Sequence, residues 1–103
     1  MSWPWRIEKA ISSLLGTAGM TEVALRKAVF ERVRLGSGEV PENLKALVEK
    51  IAERPWSVTD DDIVQVGEAG YSEDQIYELV LAAAAGAGVR RLDEGLRAVE
   101  GER

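Results

Sequence analysis

The 103-residue chain contains neither cysteine nor histidine. Without cysteine it forms no disulfide, holds no thiolate metal site and performs no thiol redox step with its own side chains. Without histidine it lacks the side chain that most often moves protons near neutral pH and most often ligates metals. Proline is scarce, at three residues, and aromatic residues make up 6%. No apolar run reaches the ~20 residues that a membrane span needs. The opening Met1-Ser2-Trp3-Pro4-Trp5 has neither the basic region nor the apolar stretch of a signal peptide. The expectation is a cytoplasmic protein with no membrane partner, no metal and no cofactor.

What is present is an ordinary globular composition, 46% hydrophobic and 30% charged. A chain of this length supports one modest core, so residues 1–103 are read as a single domain. The net charge of −5 is unevenly spread. Residues 1–35 carry six basic side chains (Arg6, Lys9, Arg26, Lys27, Arg32, Arg34) and three acidic ones, whereas residues 36–103 carry seven basic and fifteen acidic. A basic N-terminal third thus precedes an acidic remainder, an asymmetry that steers one segment or chain onto another. The basic third lacks the clustered Lys/Arg and interleaved aromatics of a nucleic-acid surface, and no nucleic-acid partner is expected.

The hydrophobic periodicity is helical throughout, and the expectation is an all-α fold of about five helices. Ile7, Ala10, Ile11, Leu14, Leu15 and Ala18 line one face of a first helix ended by Gly19. Thr21 is suited to cap a second, with Leu25, Ala28, Val29 and Val33 inward and Val23 and Phe30 widening the stripe. Gly36-Ser37-Gly38 is the clearest break. Pro41 fits the first turn of a third helix carrying Leu44, Leu47, Val48 and Ile51 until Arg54-Pro55 stops it.

The next two starts are the best specified. Thr59 places a hydroxyl cap before Asp60, Asp61 and Asp62, where free backbone N–H groups and the helix dipole favour negative charge. Ile63, Val64 and Val66 are the apolar residues of this short helix, and Gly70 ends it. Ser72 and Gln75 form a capping box at the start of the last helix. There Ile76, Leu79, Val80, Ala83 and Ala87 make one face, expected to resume at Leu92, Leu96 and Val99. A helix over 73–100 is about 42 Å long, more than the width of so small a domain. Its Ala82-Ala83-Ala84-Ala85-Gly86-Ala87-Gly88 run brings backbones close, and each glycine costs about 1 kcal/mol of helix propensity. Close packing within the domain or across an oligomer interface compensates; the alternative is that Gly86 and Gly88 leave room for a ligand or a hinge.

Other polar groups have plain structural readings. Asp60, Asp61 and Asp62 point in different directions from a helix and lack the glycine and distal glutamate of a calcium loop, so they are read as capping residues. Tyr71, Tyr77 and Glu78 are a candidate acid–base group, although Tyr71, following Gly70, suits packing over the helix end. Glu31 beside Arg32 and Arg34 fits a solvated face. Trp56, between helices, is expected to plug the core at its corner. Trp3 and Trp5 flank Pro4 ahead of the first helix, placed either to staple its N-terminus or to anchor the chain on a neighbouring subunit; an interface role is expected for at least one of them.

From Glu42 to Leu96 the chain resembles the alkylhydroperoxidase D and carboxymuconolactone decarboxylase superfamily. The residues that carry the likeness are Leu44-Lys45-Ala46-Leu47-Val48, Arg54-Pro55-Trp56, Val58-Thr59-Asp60-Asp61-Asp62, Ala69-Gly70-Tyr71-Ser72 and Arg90-Arg91-Leu92. Leu25-Arg26-Lys27-Ala28-Val29 further resembles a Leu-Arg-Glu helix of that group. Residues 40–100 are thus the part similar to that superfamily, behind the basic helices of 1–35. The resemblance implies an all-α subunit interlocked with other copies through long helices, as a trimer, hexamer or dimer. Peroxide-reducing members use a Cys-x-x-Cys pair, a histidine and a glutamate; here both cysteines and the histidine are missing, and Lys27 stands at the glutamate's place. Arg91 matches a late arginine of the group, while Arg90 replaces the asparagine before it.

The expected function is that of a non-catalytic helical oligomerisation or interaction protein, a homo-oligomer with a further protein partner as an option. Gly86 and Gly88 join Trp3 and Trp5 as its candidate interface residues. The alternative is a carboxymuconolactone decarboxylase-like enzyme binding a small organic acid, with Arg90, Arg91, Tyr77 and Glu78 as candidate ligand-binding residues. A third option is an accessory subunit to a thiol-bearing peroxidase partner. No catalytic residue is assigned.

Overall fold

The computed structural model describes residues 22–101. These form four α-helices and one short 3₁₀ turn: α1 (Val23–Leu35), α2 (Glu42–Glu53), the turn Pro55–Ser57, α3 (Asp60–Glu68) and α4 (Glu73–Gly101). The all-α class is therefore as expected, with no strand among the described residues. The first expected helix, with Trp3, Trp5 and Gly19, lies outside the described residues, as does Thr21. Glu22, rather than Thr21, occupies the N-cap position of α1 and makes no side-chain cap hydrogen bond.

Local chemistry sets the boundaries. Gly36, at φ +73°, donates its N–H to Arg32 O and ends α1 in the left-handed conformation that glycine adopts without penalty. Pro41 stands at the N-cap of α2, just ahead of the helical turn in which it was expected. At α3, Asp62 N donates to Thr59 Oγ1 at 3.3 Å, and Thr59 N donates to Asp62 Oδ2 at 2.8 Å, a reciprocal capping box. Gly70, at φ +109°, turns the chain toward α4. There Ser72 N donates to Gln75 Oε1 at 2.8 Å and Gln75 N to Ser72 Oγ at 3.2 Å, the expected second box.

The core joins all four helices. Val29, Phe30 and Val33 of α1, Leu44, Leu47, Val48 and Ile51 of α2, Val66 of α3, and Ile76, Leu79, Ala82, Ala83 and Ala87 of α4 are buried together, with Val40 of the connecting loop. Val29, Val33, Ala82 and Ala83 are 0–2% exposed, so α1 and the small-residue run of α4 form the densest seam. Phe30 lies by Gly86, Val33 by Arg90, and Arg34 by Asp93, so the two helices run in the same direction. Tyr71 packs partly buried over the corner, and its hydroxyl donates to Asn43 Oδ1 at 3.3 Å.

Two expectations are corrected. Trp56 does not plug the core: it is 79% exposed. The 3₁₀ turn, held by Ser57 N on Arg54 O, carries its indole outward, while Ile51, Ala52 and Val58 fill the corner. Val64, exposed at 54%, lies about 100° around α3 from Ile63 and about 160° from Val66, the two residues turned to the core. Leu92, Leu96 and Val99 do not resume the core face. Nine residues separate Ala83 from Leu92, which at about 100° per residue is half a revolution, so the apolar side of α4 switches around Arg90. Leu92 and Leu96 are half-buried, and Val99 is exposed.

Candidate functional site

Arg90 is the first polar side chain of α4 after eleven uncharged residues, Leu79–Val89. Its guanidinium reaches the C-terminal ends of two other helices. Nη1 donates to Val33 O of α1 at 3.3 Å, and Nη2 donates to Ala52 O of α2 at 2.9 Å. Both carbonyls belong to last turns, where no backbone N–H remains to meet them and the dipole is negative. Glu53 Oε1 lies 3.5 Å from Nη1. Arg90 thus fastens three helices through donors that an incoming carboxylate would need. The cleft beside it, about 300 Å³, is lined by Arg32, Val48, Glu49, Glu53 and Arg90, and Arg32 faces Glu49 at 3.7 Å. Two arginines and two carboxylates leave this cleft without an excess positive charge for an organic acid.

The other expected ligand-binding residues do not gather there. Arg91 is exposed on a different side of α4, and Tyr77 is 65% exposed near the other end of the helix. Glu78 is half-buried beside it. Tyr77 and Glu78 stand 12 to 14 residues before the two arginines, about 18–21 Å along the axis. The small-residue run divides similarly. A Cβ on Gly86 would lie 2.6 Å from Phe30 O and 3.0 Å from Val33 Cβ, so this glycine lets α1 and α4 of the same chain approach. Gly88 is exposed, and a Cβ there would meet nothing within 4 Å.

Two features escaped sequence reasoning. Lys50 Nζ donates to both carboxylate oxygens of Asp62 at 2.9 Å, tying α2 to the start of α3. Lys50, first, and the Thr59 backbone N–H hold the Asp62 carboxyl below the usual carboxylate range. The i+12 spacing across a turn gives no sequence signal for such a pair. Arg26, only 3% exposed, sits on the core side of α1, where helical spacing from Val29, Phe30 and Val33 could have placed it.

The most distinctive surface is an apolar stripe along the outside of α4. Tyr77, Leu81, Ala84, Gly88, Gly95 and Val99 are all exposed and fall within about one-sixth of a turn of one another's mean direction. Beside its N-terminal half, between α3 and α4, lies an apolar groove of about 280 Å³ lined by Ile63, Glu73, Ile76, Tyr77 and Val80. Among the described residues no helix is long and apolar enough to cross a membrane. The chain matches no protein-family model, no curated protein and no solved structure.

Proposed function

We propose that this chain is a helical oligomerisation and interaction protein of the alkylhydroperoxidase D-like kind, acting through surface rather than through catalytic groups. The observation that carries this reading is the exposed stripe of α4. A helix whose inner face is already buried ordinarily turns charged residues outward, whereas Leu79–Val89 contains none. An apolar strip on a 29-residue helix beside an open apolar groove is the kind of surface that proteins use to meet one another. The glycines support the same reading. Gly86 is explained by α1, but Gly88 and Gly95 give up helix propensity with no neighbour among the described residues that requires it. A helix approaching from outside supplies that reason.

Native mass spectrometry of the full chain tests the proposal. An assembly of two or more chains, or a chain carrying a second polypeptide, is the expected result. A lone 11.3 kDa species at every concentration, in its source extract as well as after purification, would overturn it.

A further inference from the structure

Resting on that reading, we infer that the α4 stripe receives a second copy of this chain running antiparallel, with Arg91 of each copy entering the groove of the other. Glu73 and Arg91 are both exposed and 18 residues apart. Eighteen residues are five whole helical turns, so the two side chains lie on the same edge of the stripe about 27 Å apart. One edge therefore carries an acid at one end and a base at the other.

A parallel two-fold copy would put the two Glu73 side chains at one level and the two Arg91 side chains at another, on opposite edges of the seam, with no acid facing a base. An antiparallel copy sets each Arg91 against the other chain's Glu73, and the same two-fold operation makes both contacts at once. The groove is built for that side chain. Ile63, Ile76 and Val80 offer apolar wall to the methylene stem, Tyr77 offers an aromatic face, and Glu73 stands at the rim for the guanidinium. Between the two grooves the helices meet over Leu81, Ala84 and Gly88; the small Ala84 and the missing side chain of Gly88 permit close approach of the backbones, with Leu81 as the apolar contact.

Charge reversal tests the orientation. Arg91→Glu and Glu73→Arg each place like charges together twice per dimer and are expected to weaken self-association at least about tenfold. The double variant E73R/R91E restores the pairing and is expected to return to within a few-fold of the parent. Single reversals that leave the dissociation constant unchanged, or a double variant as weak as the singles, would overturn the antiparallel assignment.

The absence of cysteine makes a second readout clean. In the antiparallel pair, Leu81→Cys near the centre forms an intermolecular disulfide with itself, whereas Gly95→Cys toward the end does not. Self-cross-linking at both positions would mean a parallel pair. Self-association that survives Leu81→Glu would instead locate the interface elsewhere, leaving the oligomerisation reading standing and this face excluded. A chain that is monomeric throughout would remove both.

Discussion

Gly86→Ala is the sharpest test of how this fold is held together. The added methyl would sit 2.6 Å from Phe30 O and 3.0 Å from Val33 Cβ. The first of these atoms is backbone and cannot rotate away, so α1 must shift along a seam whose members Val29, Val33, Ala82 and Ala83 are almost wholly buried. Overpacking of a tight core costs typically 1–3 kcal/mol, and an immovable partner places this case near ~3 kcal/mol. Alanine returns about 1 kcal/mol of helix propensity. The net loss is about 2 kcal/mol, and for a domain of this size each kcal/mol moves the midpoint by about 4–8 °C, giving a fall of about 8–16 °C. Thermal unfolding followed by circular dichroism reads it directly. Gly67→Ala is the control, since a methyl there meets nothing within 4 Å and is expected to leave stability unchanged or raise it by up to ~1 kcal/mol. A Gly86→Ala protein that melts at or above the parent would refute the close α1–α4 approach.

Further substitutions address the ties between helices. Arg90→Met removes both donors from Val33 O and Ala52 O and is expected to cost about 2–3 kcal/mol in urea unfolding, with Arg90→Lys recovering only part; a neutral Arg90→Met would show that the two helix ends need no staple. Thr59→Ala and Ser72→Ala each remove half of a capping box and should cost about 1 kcal/mol apiece, nearly additively. Because the Asp62 carboxyl titrates below its unfolded value, the stability contributed by its pairing with Lys50 is present above about pH 4 and fades as the pH falls through the lowered folded value. The stability gap between the parent and Lys50→Met should therefore be widest above that pH and close below it; a gap constant from neutral to strongly acid pH would contradict the pairing. Trp56→Ala should shift the melting midpoint by only a few degrees at most, since the indole is largely in solvent.

The parts of the fold legible in the sequence were those with local causes. Thr59, Ser72, Gln75, Gly36 and Gly70 act on backbone groups within four residues, so their roles survive any tertiary arrangement. The core faces of α1 and α2 followed from spacing alone. The outward turn of Trp56 was not legible, because a large apolar residue suits a core in general and only the Pro55–Ser57 turn sets its direction. The run from Ala82 to Gly88 announced close packing but not its partner: Gly86 meets α1, while Gly88 faces outward. Leu92 stands opposite Ala83 because both lie on one uninterrupted helix, nine residues and half a revolution apart. Of the candidate site, Arg90 and Tyr77 stand out individually in the sequence, but their separation along α4 depends on that helix being continuous through two glycines. The tie between Lys50 and Asp62 depends on the α2–α3 corner and had no signature of its own.

Sedimentation equilibrium of the intact chain beside Leu81→Glu, over a range of concentrations, decides whether α4 presents an interaction face. Leu81 is 37% exposed and outside the buried core, so the charge should leave the fold intact, which the melting curve of the dilute protein checks. If α4 does present that face, the parent mass rises with concentration to a multiple of 11.3 kDa and the variant remains a single chain. A parent that stays monomeric, or a folded variant that assembles as readily as the parent, would contradict it.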